Sequence, residues 1–192
     1  MKKQFIFFVS SLIFCSLFAL TSCKKDSSGT SQPVVADTAV VVVNFNPMTP
    51  FTFFSFKNGI ISNVDSASAK WDFGLRLTTF LVNSNASGPG NAGVIMQDGI
   101  FDNLLTVPTN GYAYDTTAGQ LAIKDGSWYN YNPSTHSFLP KPGKIFIFRT
   151  ANNHYAKMEI LSVTYEPFTG MTPEKIDYKI RFAYQGNGSV NF

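Results

Sequence analysis

From about residue 39 onwards the chain alternates short apolar runs with clusters of Pro, Gly, Asn and Ser. Runs at residues 40–45, 51–56, 60–64 and 70–82 read as strands in the first half, and 127–131, 137–139, 144–150, 154–165 and 176–185 in the second. Turn residues between them, without interposed amphipathic helices, predict antiparallel sheets instead of alternating βαβ units. Asn58-Gly59 between two apolar runs has the form of a type I′ hairpin turn. Ile145-Phe146-Ile147-Phe148 is apolar at every position, so that strand should be covered on both faces. Residues 83–93, NSNASGPGNAG, form a polar connection with no following Lys-Ser/Thr or helix, which excludes a phosphate loop and suggests a floppy link or a wall beside a ligand. One short helical turn fits residues 98–105, where Ile100, Leu104 and Leu105 share a face.

Composition narrows this to one all-β domain. The 192 residues are 44% hydrophobic and 14% charged, which suits a packed core, and an aromatic content of 15%, with 19 Phe and 8 Tyr, favours sheet over helix. Trp71 and Trp128 read as core anchors. Before the domain, Lys2 and Lys3 precede an apolar run at residues 5–20 that is too short for a comfortable membrane span and reads as a leader. It closes on Leu20-Thr21-Ser22-Cys23, which resembles the lipobox of bacterial lipoproteins, where cleavage precedes a cysteine that is then acylated. The organisation is therefore a signal peptide at 1–22, a lipidated flexible tether at 23–38 and a β domain at 39–192. Cys15 lies within the leader, leaving Cys23 as the lipidation site and no thiol for a disulfide or for catalysis. Loss of Lys2 and Lys3 takes the 15 basic side chains to 13 against 12 acidic ones, and no basic stripe interleaves with aromatics, so no nucleic-acid partner is expected.

Three stretches read together resemble the HmuY-like haem-binding lipoproteins of Bacteroidetes: Lys70-Trp71-Asp72-Phe73-Gly74-Leu75-Arg76 running into VNSNASGPGNAG; Trp128-Tyr129-Asn130-Tyr131 with NPSTH and Pro140; and IFIFRTANNHYAKMEIL. The closing IRFAYQGNGSVNF adds to the likeness, which spans about residues 40–192. The resemblance implies an all-β, single-domain, twisted antiparallel fold with at most a short helical turn. It also implies an outer-membrane lipoprotein, anchored by lipid alone and displayed at the cell surface, that captures haem for iron acquisition and passes it to a TonB-dependent receptor. Lys24-Lys25-Asp26-Ser27-Ser28 looks like the tether of such lipoproteins.

Haem capture needs an apolar slot and one or two imidazole or thioether ligands. Only His136 and His154 supply imidazole, and Met96 and Met171, which flank loops, supply sulfur. On one strand His154 and Met158 would stand about 13 Å apart, too far to clasp one iron. Pairing His136 with His154 requires their loops to meet at one end of the fold. Asp72, Asp98, Asp102 and Asp115 show no paired spacing and no nucleophile elbow is present, so an enzyme is not expected. The alternative from another class is a β-sandwich lipoprotein that binds glycan or a protein partner without haem.

Overall fold

The computed structural model describes residues 34–116, 119–169 and 172–192. The expected leader, Cys23, the first part of the tether and Met171 lie outside the described residues. Eleven strands follow one another as β1 (Val35–Asn44), β2 (Thr52–Ser55), β3 (Gly59–Ile61), β4 (Phe73–Arg76), β5 (Thr79–Val82), β6 (Gly93–Asp98), β7 (Tyr129–Asn132), β8 (Ser137–Pro140), β9 (Lys144–Arg149), β10 (Tyr155–Thr169) and β11 (Thr172–Gln185). They form a five-stranded sheet ordered β1-β11-β10-β9-β6, a four-stranded sheet ordered β3-β2-β4-β5, and the separate hairpin β7-β8. All pairings between these strands are antiparallel, as the sequence predicts. Helical structure among the described residues is confined to two short 3-10 turns, at Asn63–Asp65 and, within the stretch expected to hold one, Phe101–Asn103. No helix of the described residues is long and apolar enough to cross a membrane.

Period-two burial explains the large sheet. Along β11, Ile176, Tyr178, Ile180 and Phe182 turn inward and are buried, while Lys179 between them is exposed. β1 matches it with buried Val41 and Val43 and exposed Val40 and Val42. The two sheets meet through rings: Phe54 on Phe182 at 5.8 Å, Phe73 on Phe148 at 5.7 Å and Phe80 on Phe146 at 5.7 Å between centroids. β9 is covered on both faces, with Phe146 and Phe148 in this main core and Ile145 and Ile147 in a second cluster with Val107 and Tyr112. Lys157, also buried, is held among this outer covering: its ammonium donates to the carbonyls of Phe101 and Leu104 at 2.8 and 2.7 Å and lies over the Phe101 ring. Burial draws its pKa down from the usual lysine value.

Several local expectations change. The run at 70–82 is a hairpin, because Leu77 takes φ +47° and reverses the chain between β4 and β5. The strand expected at 60–64 ends at Ile61 and gives way to the first 3-10 turn. The Asn58-Gly59 turn is not type I′: β2 and β3 pair as Ser55 with Gly59, and only Gly59 of the dipeptide has positive φ. β6 was not anticipated. Strand pairing starts at Val35 opposite Tyr184, so residues 35–38 lie in the sheet. The 83–93 connection is pinned, not floppy, by the buried Asn83, whose amide donates to the carbonyls of Trp71 and Ser68 at 2.7 and 2.9 Å and whose oxygen accepts from Gly90 N–H at 2.8 Å. A Cβ at Gly88 would fall 2.2 Å from that oxygen, which is why this close approach takes glycine.

Candidate functional site

The β7-β8 hairpin stands apart from both sheets and is built from aromatic side chains stacked in sequence. Trp128 lies 4.9 Å from Tyr129, Tyr129 4.9 Å from Phe138, and Phe138 5.4 Å from Tyr131. Trp128 roots this series in the main core, fully buried, with its indole N–H donating to the Thr78 carbonyl at 3.2 Å. The Tyr165 hydroxyl of β10 fastens the hairpin's other strand: it accepts from Phe138 N–H at 2.6 Å and donates to the Phe138 carbonyl at 3.3 Å. One phenol thus satisfies both backbone groups of a residue that has no strand neighbour on that side. Burial raises the Tyr165 pKa, and the contact with Phe138 opposes it.

The turn of this hairpin carries His136. Asn132 Oδ1 accepts from Ser134 N–H at 3.0 Å, and the hydroxyls of Thr135 and Ser137 meet at 2.7 Å, so Asn132-Pro133-Ser134-Thr135 folds as its turn chemistry predicts. His136 completes it in the left-handed region, at φ +50°. Its Nδ1 lies 2.7 Å from the Tyr131 hydroxyl, and among the described residues Nε2 has no hydrogen-bond partner. His136 also lines a hollow of about 460 Å³ with Ser134, Thr135, Phe45, Tyr165, Thr172 and Pro173. A second hollow of about 560 Å³ shares Phe45, Thr172 and Pro173. The walls come from the end of β1, the β10-β11 end of the large sheet and the projecting hairpin, three segments distant in sequence.

The other candidates lie elsewhere. His154 precedes β10 at its opposite end, half-buried, with Nδ1 2.7 Å from the Tyr184 hydroxyl. From Tyr155 to Tyr165 along β10 is about 33 Å at 3.3 Å per residue, so the two histidines are not brought together. Met158 is fully buried in the main core. Met96 lies on β6 opposite Phe146, packed against the core with its sulfur accepting from the Ser127 hydroxyl at 3.7 Å, and does not line the hollow. Met171 is next in sequence to the lining residue Thr172. Tyr131 and Tyr165 were not singled out from sequence; their roles come from pairing across 5 and 27 residues, which no local pattern records.

The carboxylates do not converge. Asp98 and Asp102 are in exposed ion pairs with Lys144 and Arg181. Buried Asp115 accepts from Val82 N–H, Ala122 N–H and the Ser87 hydroxyl. Among the described residues no group of three His, Cys, Asp or Glu could hold a metal ion.

The described residues thus define an all-β protein of two facing antiparallel sheets with a ligand-sized hollow under a projecting hairpin. Its fold is HmuY-like. It is similar to the crystal structure of an apo HmuY analog from Tannerella forsythia, with a TM-score of 0.51 and 11% identity over 79% of this chain and 97% of that one. It also matches a protein named as HmuY-like and heme binding from Bacteroides vulgatus, with a TM-score of 0.48 and 15% identity over 77% and 92% of the two chains. A protein named as a lipoprotein from Bacteroides fragilis matches with a TM-score of 0.44 and 13% identity over 74% and 89%. No family model matches the chain, and no curated protein matches it in sequence.

Proposed function

We propose that this protein is a non-enzymatic haem-binding lipoprotein that captures haem at the hollow beside His136. One observation carries the reading: an imidazole with one nitrogen engaged and, among the described residues, no partner on the other borders a hollow of the size that ligand pockets take. The residues fit a haem. Phe45, Tyr165 and Pro173 offer apolar surface for a macrocycle edge, Ser134, Thr135 and Thr172 offer hydroxyls for propionates, and His136 offers an axial nitrogen. Met171, next in sequence to Thr172, lies outside the described residues, while His154 and Met96 serve the fold. Haem, if bound, would supply a large hydrophobic ring and an iron for the His136 imidazole to hold, and the protein's part would be to cover the ring.

The likeness to an HmuY analog and the lipobox-like LTSC support the same assignment, with acylated Cys23 anchoring the domain at the outer membrane, facing the cell surface, and a TonB-dependent receptor taking over the haem. Haemin titrated into the purified protein should give a shifted Soret band saturating near one equivalent. His136→Ala should weaken binding at least tenfold, with His154→Ala close to wild type. Absence of a shift under both oxidising and reducing conditions overturns the reading. The openness of this site to solvent and the single donor among its described lining residues favour, in that event, a protein or glycan ligand in the same hollow.

A further inference from the structure

The outer face of the large sheet is covered, over β9 and the start of β10, by two segments that pair with each other and not with the sheet. Val107 N–H donates to the Val190 carbonyl at 3.0 Å, Phe192 N–H donates to the Leu105 carbonyl at 2.9 Å, and Thr106 faces Asn191 between them. Among the described residues, no backbone–backbone hydrogen bond joins residues 100–108 or 189–192 to a strand. Apolar packing holds them, with Leu104, Val107, Val190 and Phe192 in one cluster with Ile145 and Ile147. Three side chains of the sheet add polar ties. Arg181 pairs with Asp102 at 3.2 Å, but the pair is exposed and contributes little. Gln185 Nε2 donates to the Asn191 carbonyl at 2.7 Å. Lys157 is 5% exposed, and its ammonium donates to the Phe101 and Leu104 carbonyls at the end of the second 3-10 turn, with the Phe101 and Phe192 rings 4.5 and 5.5 Å away.

A covering tied down by side chains alone has no ladder bonds to break, so it opens at a lower free energy than the sheet beneath it. We infer that residues 100–108 and 189–192 form a strap that opens from the sheet as one unit, with Lys157 as its catch. An ammonium suits this task, because the last carbonyls of a helical turn have no partner within the turn and its three N–H groups can satisfy two of them at once. The nearby carboxylates are engaged elsewhere: Asp102 and Glu159 both pair with Arg181. The partners of Lys157 are therefore carbonyls and rings that belong to the strap. Opening uncovers Ile145 and Ile147, a second apolar face on the side of β9 away from Phe146 and Phe148. The strap does not rest on the haem reading, since Lys157 and Tyr165 stand about 26 Å apart along β10.

Native-state hydrogen exchange of the purified protein at increasing urea tests this. The Val107 and Phe192 amides should report one opening constant, at least tenfold larger than that of the Phe146 amide in β9 and nearly independent of urea, whereas Phe146 follows global unfolding. Strap amides that share the urea dependence of Phe146, or that open with different constants, overturn the single strap. Lys157→Met keeps the apolar stem and leaves both carbonyls without their donor, so the opening constant should rise at least tenfold. Asp102→Asn, which breaks only the exposed pair with Arg181, should change it less than threefold. A constant within twofold of wild type in Lys157→Met, or an equal rise in Asp102→Asn, overturns the role of Lys157 as catch. Lys157→Gln, uncharged and shorter in reach, gives the same comparison if Lys157→Met does not fold, and the wild-type measurement decides the strap without any variant.

Discussion

His136 combines a backbone that glycine would adopt more easily with a side chain that a hairpin turn does not need. A non-glycine residue at φ +50° gives up stability, and such positions persist where another demand holds the residue in place. Turn and ligand roles therefore separate under substitution. His136→Gly should leave the protein as stable as wild type or more so by up to about 1 kcal/mol, since glycine enters this region without steric cost. The same change should lower haemin affinity at least tenfold, measured by the Soret titration beside a urea midpoint. A stability loss above about 1 kcal/mol with haemin affinity intact would make His136 a turn residue only. Part of this was legible in the sequence: NPSTH announces a turn, and the histidine after it is one of only two. What surrounds the imidazole was not, because Tyr165, Phe45 and Thr172 reach the hollow through sheet pairing between segments distant in sequence, as the Tyr178 hydroxyl reaches the Leu77 carbonyl across 101 residues.

At the scale of the element, the β7-β8 hairpin is a two-stranded ribbon, marginal by itself, that depends on what it leans against. Its aromatic stack reaches the core through Trp128, and its second strand is tied to β10 by Tyr165. Tyr165→Phe keeps the ring and removes both hydrogen bonds to Phe138, leaving the Phe138 N–H without its partner. The expected cost is about 1–2 kcal/mol of stability, with faster hydrogen exchange at the Phe138 amide and weaker haemin binding because one wall of the hollow shifts. Unchanged exchange at Phe138 would show that the hairpin holds without this tie. Elements read well from sequence wherever turn residues punctuated apolar runs, as for β8, β9 and β11. They read badly where the turn used none. β4 and β5 merged into one expected strand because Arg76-Leu77-Thr78-Thr79 contains no Gly, Asn or Pro, and it is the surrounding sheet that holds Leu77 at positive φ. β6 escaped notice because Val94-Ile95-Met96 is a brief apolar run directly after a glycine-rich connection, and its strand form comes from pairing with β9.

Across the whole molecule, the two ends of the long β10-β11 ribbon do different work. One end carries the hollow; at the other, Asp72 joins the two sheets. Its Oδ2 accepts from Phe56 N–H and its Oδ1 from Ala151 N–H, each at 2.8 Å, so one carboxylate gathers the end of β2 and the β9-β10 turn. Asp72 is 4% exposed, and burial raises its pKa from 3.8 to about 6 against the pull of those N–H donors and the Ser55 hydroxyl. Because the folded value lies above the unfolded one, the native state holds the proton more tightly. This group's contribution is fully present below about pH 4, is lost as pH rises towards 6, and stays level beyond, a change of about 3 kcal/mol. Urea midpoints at pH 4.5 and 7 should therefore fall with pH more steeply in wild type than in Asp72→Asn, which cannot ionise. Equal slopes in the two proteins would mean that Asp72 is solvated enough to titrate normally. The hollow lies about 33 Å away along β10, beyond the range at which substitutions usually couple. Haemin affinity at pH 7 should accordingly match wild type within about twofold in folded Asp72→Asn, and the stability changes of Asp72→Asn and His136→Gly should add to within about 0.5 kcal/mol in the double variant. A larger departure from additivity would show that the sheet-joining end and the ligand end respond as one unit, with the core between them transmitting the change.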